Sequence, residues 1–479
     1  MSNNPDRQSR FAWLIVFLLF AGSVLNYMDR ALVGVIMPQM RRDLALTNAD
    51  FGLAVNAFLL MYAVFYVLGG RMADRLGYRG AFALTVAFWS IASMAHALVQ
   101  GLRSLALCRA ILGIGEGGFY PAAMRGAAQW FPPENRAKPV GLILSALCVG
   151  TLLTPPLVAW ITIHSGWRAP FLVIGGLGLL LLPPWLLLHR RIPRIDRPGG
   201  PCAVSRPLPL GGEGGPPPGS SSAGAPHRPV QGGAGQASAR QRVMEALGAQ
   251  STTARRRVRG LPICVPPAED DLSLSEVLKT RKYWCVLGAR ACTDAAWYFY
   301  LFWIPGYFQD VRRFDLASVG RLLWIPFFSA GVGALAGAWA SSGLIRRGLS
   351  LDRSRKTILF ASASLCVVGA SACFAPAAYL ALALVSLALF GHQSYGSNIH
   401  TVITEITPPR HVAVLYGITG AAGTLLGAAA QLAIGHVIDT FGYKPAFVWA
   451  GGMALLAAAL LLAAGRIERI RRAPRRGAT

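Results

Sequence analysis

Acidic residues are scarce in this chain, with 21 Asp and Glu against 46 Lys and Arg in 479 residues, and charged residues make up only 14%. With 54% hydrophobic content and a mean hydropathy of +0.45, this excludes an ordinary soluble domain, in which about a quarter of residues are charged. Cysteine motifs are missing as well. Cys108, Cys148, Cys202, Cys264, Cys285, Cys292, Cys366 and Cys373 form no CxxC pair and mostly lie in apolar runs, so neither a metal site nor a disulfide framework is indicated. No HExxH or GxSxG motif is present to suggest an intramembrane enzyme. An open sheet cannot satisfy its backbone in lipid, so strands are not expected. The first apolar run is too long for a cleaved signal and lacks a small-residue cleavage site. The net charge of +25 does not point to nucleic acid, because the arginines fall in loops and ends rather than on one face.

What is present is a series of apolar runs, each near or above the ~20 residues that cross a bilayer core. They lie at 11–37, 51–73, 81–100, 104–128, 138–163 and 167–188, then at 283–308, 317–345, 356–375, 378–404, 411–438 and 444–465. The expected fold class is an all-α membrane protein with twelve transmembrane helices in two six-helix bundles, the two-halves plan of many secondary transporters. Residues 1–188 form the first bundle and 282–465 the second. Residues 189–281 connect them, and 466–479 form a basic tail. Within the connector, 198–267 is rich in Gly, Pro, Ser and Arg without periodicity and is expected to be disordered, a tolerated insertion. Ser273 to Leu278 then reads as a Ser-capped amphipathic helix.

Basic residues set the orientation. Arg7 and Arg10 precede the first span. Arg71, Arg75 and Arg79 follow the second, Arg125, Arg136 and Lys138 the fourth, and Arg346, Arg347, Arg353, Arg355 and Lys356 the eighth. The positive-inside rule then puts both termini in the cytoplasm. Arg41, Arg42, Arg312, Arg313 and Arg321 are exceptions at the opposite end.

Charges inside the spans carry the chemistry. A charge at mid-membrane costs at least ~2.5–3.5 kcal/mol, so it persists where something pairs with it or uses it. Asp29 and Arg30 are adjacent, hence about 100° apart on a helix, and cannot both face one partner. Arg109 and Glu116 share a face of span four, with Gly113, Gly115, Gly117 and Gly118 beside them to allow close helix approach. Arg290 and Asp294 can pair on one face of span seven. The reading is a central cavity lined by these groups. Trp297, Tyr298, Tyr300 and Trp303 follow, offering stacking surfaces for a sugar ring. Trp303 and Tyr307 are expected instead to belong to an interfacial aromatic belt, and Pro305 to kink the helix.

Between spans two and three stands Gly70-Arg71-Met72-Ala73-Asp74-Arg75-Leu76-Gly77-Tyr78-Arg79. With the six-plus-six layout it resembles the loop signature of the major facilitator superfamily, over all of the chain except the insert. The resemblance implies two bundles rocking about a central site, with Gly70, Asp74, Arg75, Gly77 and Arg79 as a gating motif. On the residues themselves, Gly77 supplies backbone freedom, and Asp74 can sit at a helix N-terminus. The second-half copy, Ser341-Ser342-Gly343 onward, lacks the acid, so a symmetrical latch is not expected there.

Asn26-Tyr27-Met28-Asp29-Arg30 together with Arg109 and Glu116 resembles the anion:cation symporter family within that superfamily. That resemblance implies proton coupling by Asp29 and Glu116, Arg109 coupled to Glu116, Arg30 in conformational pairing or substrate contact, and Tyr27 and Tyr62 as cavity residues that hydrogen-bond substrate. A cavity arginine is a natural clamp for a carboxylate. Arg290 with Asp294 resembles the hexuronate members. So does span ten, where Gln393, Ser397 and Asn398 are candidate sugar contacts, His392 a weaker one, and His400 a structural histidine ahead of a proton relay. Tyr298 and Thr424 complete the substrate list, although Thr424 is equally a packing residue. The function expected is proton-coupled uptake of a small organic anion, a hexuronate first, by a monomer in a bacterial inner membrane. Its partners are substrate, protons and membrane lipid, without nucleic acid, cofactor or metal. Alternatives are another anion (galactonate, glucarate, tartrate or phthalate) or a non-transporting membrane sensor.

Overall fold

The structure is a computed structural model that describes residues 5–131, 137–190, 272–408 and 411–470. The insert 198–267, Arg136 and the tail beyond Ile470 lie outside these, as do the side chains of Arg7 and Arg10. The regular elements among the described residues are all helices, without strands. The first half holds α1 (Pro5–Leu44), α2 (Asn48–Ala95), α3 (Leu102–Gly117), α4 (Phe119–Trp130), α5 (Ala137–Ser165), α6 (Ala169–Leu180) and α7 (Leu182–Arg190). The second holds α8 (Leu274–Leu278), α9 (Arg281–Asp310), α10 (Leu316–Leu322), α11 (Trp324–Arg346), α12 (Leu351–Ala370), α13 (Ala378–Ile406), α14 (Val412–Phe441) and α15 (Lys444–Ala463).

Nine stretches among the described residues are long and apolar enough to cross a membrane. One of them, Asn48–Leu98, has 51 residues; at 1.5 Å per residue that is about 75 Å, two crossings rather than one. The α3–α4 run and α9, which carry the buried charges, supply the remaining two, and the total is the expected twelve. The break within α2 falls at Gly77, whose φ of 70° and ψ of 165° belong to a region open essentially to glycine alone. Gly77→Ala is expected to destabilise the fold by about 1–3 kcal/mol, measured as a lower unfolding midpoint in detergent; an unchanged midpoint would contradict the strain.

Glycines bring α2 and α3 together. A Cβ on Gly117 would come within 2.8 Å of the Tyr62 carbonyl oxygen, and one on Gly113 would strike that of Phe58. Helix α1 packs on α5, and α2 on α3 and α6. In the second half α13 packs on α11 and α12, and α9 on α14 and α15. The Ser273 cap is present, its hydroxyl accepting from the Glu276 N–H while Glu276 accepts from the Ser273 N–H. Leu272 and Val277 are buried against the second half. Helix α9 runs unbroken through Pro305.

The halves meet along α2–α14 and α1–α9, and polar contacts between them cluster at one end. Arg41 pairs with Asp310 at 2.6 Å, and Gln39 donates to Gln309 at 2.8 Å. Asp439 of α14 caps α2 from across the joint, accepting from the Asn48 and Ala49 backbone N–H groups at 3.0 and 2.7 Å and from Asn48 Nδ2 at 2.7 Å. The Gly77 turn and the basic loops lie at the other end of the first crossing of α2, about 45 Å from Asn48 along the helix.

Trp303 and Tyr307 do not form an interfacial belt. Both are buried, Trp303 completely, with its indole N–H donating to Gln431 Oε1 at 2.7 Å and its ring edge-on to Phe51. Trp303 fills the joint between the halves against Phe51, while Tyr307 packs inside the second half against Tyr443 and Phe447.

An N-cap is worth about 1 kcal/mol. Asp439→Ala is therefore expected to enlarge the population open at the capped end about five-fold. Pulsed spin-label distances between exposed positions Arg42 and Thr440 would read this as growth of a longer component; an unaltered distribution would remove Asp439 from the latch.

Candidate functional site

A cavity of about 420 Å³ lies between the halves, within the ~300–1,000 Å³ range of small-molecule sites. The first half contributes Tyr27, Arg30, Tyr62, Tyr66 and Tyr120, and the second contributes Arg290, Asp294, Trp297, Tyr298 and Tyr416 among others. Met124, Val140, His400 and Tyr416 carry it toward the basic end, while Arg30 and Tyr298 lie near mid-span. The cavity therefore sits on the far side of the site from the Asp439 cap.

Two guanidiniums from opposite halves face this space. Arg30, 4% exposed, donates through Nε and Nη2 to Glu116 Oε2 at 3.2 and 2.7 Å, and through Nη2 to Asn26 Oδ1 at 3.2 Å. Its Nη1 carries no hydrogen bond among the described residues. The guanidinium lies 4.4 Å from the Tyr62 ring centre and 5.2 Å from that of Tyr27, so both tyrosines hold its plane by cation–π attraction. Arg290 donates through Nη1 to Thr419 Oγ1 at 2.6 Å and to the Tyr416 carbonyl at 3.2 Å, and through Nε to Asp294 Oδ2 at 3.3 Å. Asp294 is seated against Gly423, where any Cβ would strike its carboxylate.

Asp29, Arg109 and Glu116 do not line the cavity, contrary to the sequence reading. All three are buried in the first half, and Arg30, paired with Glu116, connects their layer to the cavity. The 100° between neighbours explains this: Arg30 faces the cavity, while Asp29 turns toward α2, accepting from Ser93 Oγ at 2.7 Å. The expected Arg109–Glu116 coupling is likewise replaced by Arg30–Glu116. Seven residues of helix separate Arg109 from Glu116 by about 10 Å along the axis, and Arg30 reaches Glu116 directly. Arg109 stacks loosely on Phe171, with its Nε and Nη2 buried and without hydrogen bonds among the described residues.

Gln393, Thr424 and Tyr298 line the cavity as expected, with Thr424 Oγ1 and the Tyr298 hydroxyl 3.5 Å apart. Ser397 and Asn398 do not. Ser397 donates to the Ser394 carbonyl, and Asn398 accepts from Arg355 Nη1 at 3.3 Å. Arg355 also donates to Ser341 at 2.6 Å and pairs with Glu405 at 2.7 Å. This ties α11, α12 and α13 together at the basic end, with Glu405 as the acid that meets Arg355. In the first half Asp74 pairs with Arg125 of α4 rather than capping a helix. Arg75 is exposed, Arg79 lies against the Tyr78 ring at 5.9 Å, and a Cβ on Gly70 would meet nothing within 4 Å.

Sequence reasoning missed Tyr66, Tyr120 and Tyr416. Tyr66 is four residues after Tyr62, and Tyr120 four after Glu116, so the helical repeat from a chosen residue was the available signal. His392 and His400 both reach the cavity; His392 Nε2 lies 2.8 Å from the Thr293 carbonyl oxygen.

Residues 19–396 match the family described as Major Facilitator Superfamily. The chain belongs to that superfamily. It is a multi-pass membrane transporter and not an enzyme. It is 27% identical over 472 residues to a D-galactonate transporter of Escherichia coli O6:H1, covering 98% of this chain and 99% of that protein. Against the hexuronate transporter of Escherichia coli K12 the identity is 24% over 437 residues, with 91% and 89% covered. Among solved structures, a bacterial homologue of the human lysosomal transporter Spinster, inward-facing and occupied, superposes with a TM-score of 0.68 at 17% identity. That likeness covers 99% of this chain and 100% of the homologue and concerns the superfamily fold.

Proposed function

We propose that this superfamily member imports a sugar acid, a hexuronate first, together with protons across a bacterial inner membrane, with both termini cytoplasmic. The observation that carries the reading is the pair of guanidiniums, Arg30 and Arg290, facing one cavity from opposite halves. An anion between them neutralises two buried cations and ties the halves together as they close. The tyrosines around them offer hydroxyls and ring faces to a sugar. With the basic loops in the cytoplasm, the described state is open inward and shut outward by the Asp439 cap and the Arg41–Asp310 pair.

Coupling follows from Arg30. While Glu116 is ionised it holds Nε and Nη2; a proton on Glu116 removes that partner and frees the guanidinium for a substrate carboxylate. Asp29 acts beside it as the second proton site, Ser93 and Arg109 setting its environment. Gln393 and Thr424 then address substrate hydroxyls, and Asp74 with Arg125 acts at the basic end as the gating motif changes state.

A galactonate is the second reading, favoured by the relative of that name; Arg290 with its acid partner Asp294 favours the uronate. Proteoliposome uptake of labelled galacturonate, with and without an inward proton gradient, tests both. The proposal predicts gradient-stimulated uptake that unlabelled galacturonate inhibits more strongly than galactonate. Stimulation without that preference would move the substrate to galactonate, and uptake indifferent to the gradient would end the coupling reading.

A further inference from the structure

A second hollow, about 570 Å³, opens on the flank where α5 of the first half meets α10 and α11 of the second. Leu153, Pro156, Trp160, Arg321 and Trp324 line it. Its floor is tight, since a Cβ on Gly320 would come within 2.7 Å of Ala159 Cβ. Both walls belong to stretches apolar enough to span a membrane, Lys138–Ser165 and Leu316–Arg346, so the medium outside the hollow is lipid. Trp160 is 62% exposed and Trp324 39%, placing two large rings at its sides.

Arg321 gives the hollow a charge. It lies five residues past Leu316, about 8 Å along the helix, at the end where the positive-inside rule leaves few bases. Two other arginines at that end are taken up by the protein, Arg41 by Asp310 and Arg312 by the Tyr307 hydroxyl and the Ala372 carbonyl. Arg321 is exposed; among the described residues its guanidinium makes one long hydrogen bond, 3.4 Å to the Ser318 hydroxyl, and its charge is otherwise faced by the exposed Asp315 carboxylate at the helix start. From this depth a long basic side chain reaches the phosphate level of a leaflet.

We propose that this hollow seats one anionic phospholipid, with an acyl chain lying over Leu153 and Pro156 between the two tryptophans and the phosphate on Arg321. The charge and its depth select an anionic headgroup, and the apolar walls select a chain. Because the walls come from opposite halves, the lipid bridges the joint at the end that is shut, and it stabilises the state described above.

The full-length chain, purified in detergent, would be incubated with equimolar phosphatidylglycerol and phosphatidylcholine and read by native mass spectrometry. Phosphatidylglycerol adducts are expected to outnumber phosphatidylcholine adducts about five-fold, the usual effect of one arginine at a membrane surface. Arg321→Gln should level the two, and so should Leu153→Trp, which fills the hollow without touching the charge. Both positions are exposed, so both variants are expected to elute as wild type does. Equal adducts on wild type, or a preference surviving either substitution, would overturn the proposal.

Discussion

Asp29→Asn is expected to lower proton-driven uptake about 100-fold while counterflow exchange, which moves no net proton, survives. The factor comes from the cost of a charge at bilayer depth, at least ~2.5–3.5 kcal/mol, which protonation removes. An amide is neutral in every state, so no step of the cycle depends on proton supply at this position. Geometry makes the substitution mild for the fold. Asn keeps an acceptor for Ser93 Oγ, whose 2.7 Å bond holds the present carboxylate, and its volume is nearly unchanged. Driven uptake equal to wild type would take Asp29 out of the coupling role. Loss of counterflow as well would show that the side chain organises the cavity rather than the proton, and a wild-type unfolding midpoint would separate that outcome from misfolding.

The contrast between Asp29 and Arg30 shows how far sequence alone could be pressed. Adjacent residues on a helix must diverge, so it was legible that one would face a neighbour and the other the cavity. Which partner each would find was not. Arg109 and Glu116 share a face and read as a couple, yet the partner of Glu116 comes from α1, through a packing register between helices that no local repeat encodes. Asn398 failed for the same reason: its face is set by where α12 places Arg355. The twelve crossings were legible because apolar length is local, and Gly77 because a tight turn demands glycine. Trp303 was misread because a bilayer-facing ring and a ring between two bundles have the same local sequence. The joint that buries it is made by residues more than a hundred positions away, Gln431 among them.

Arg290→Gln is expected to weaken anion binding about 10- to 150-fold, from the ~1.5–3 kcal/mol typical of a hydrogen bond to a charged group. The native contacts bound the effect. Nη1 is engaged by Thr419 and the Tyr416 carbonyl, and Nε by Asp294, so Nη2 is the group left to meet an anion in the cavity. Glutamine can keep one donor near Thr419 but brings no positive charge, and it leaves Asp294, half-buried at the cavity wall, without its partner. The double variant Arg290→Gln with Asp294→Asn removes that second defect. If the loss in the single variant came from the stranded carboxylate, the double variant would recover binding; if it came from the missing clamp, binding would stay weak. The clamp reading requires the second outcome, measured as the dissociation constant for galacturonate by calorimetry in detergent. Arg30→Gln offers the matching test from the other half, where the guanidinium also holds Glu116. There the loss of affinity should be joined by an altered dependence on the proton gradient, because one side chain serves both the anion and the proton site. Equal behaviour of the two arginine variants toward the gradient would separate substrate binding from coupling and place the proton pathway elsewhere in the first half.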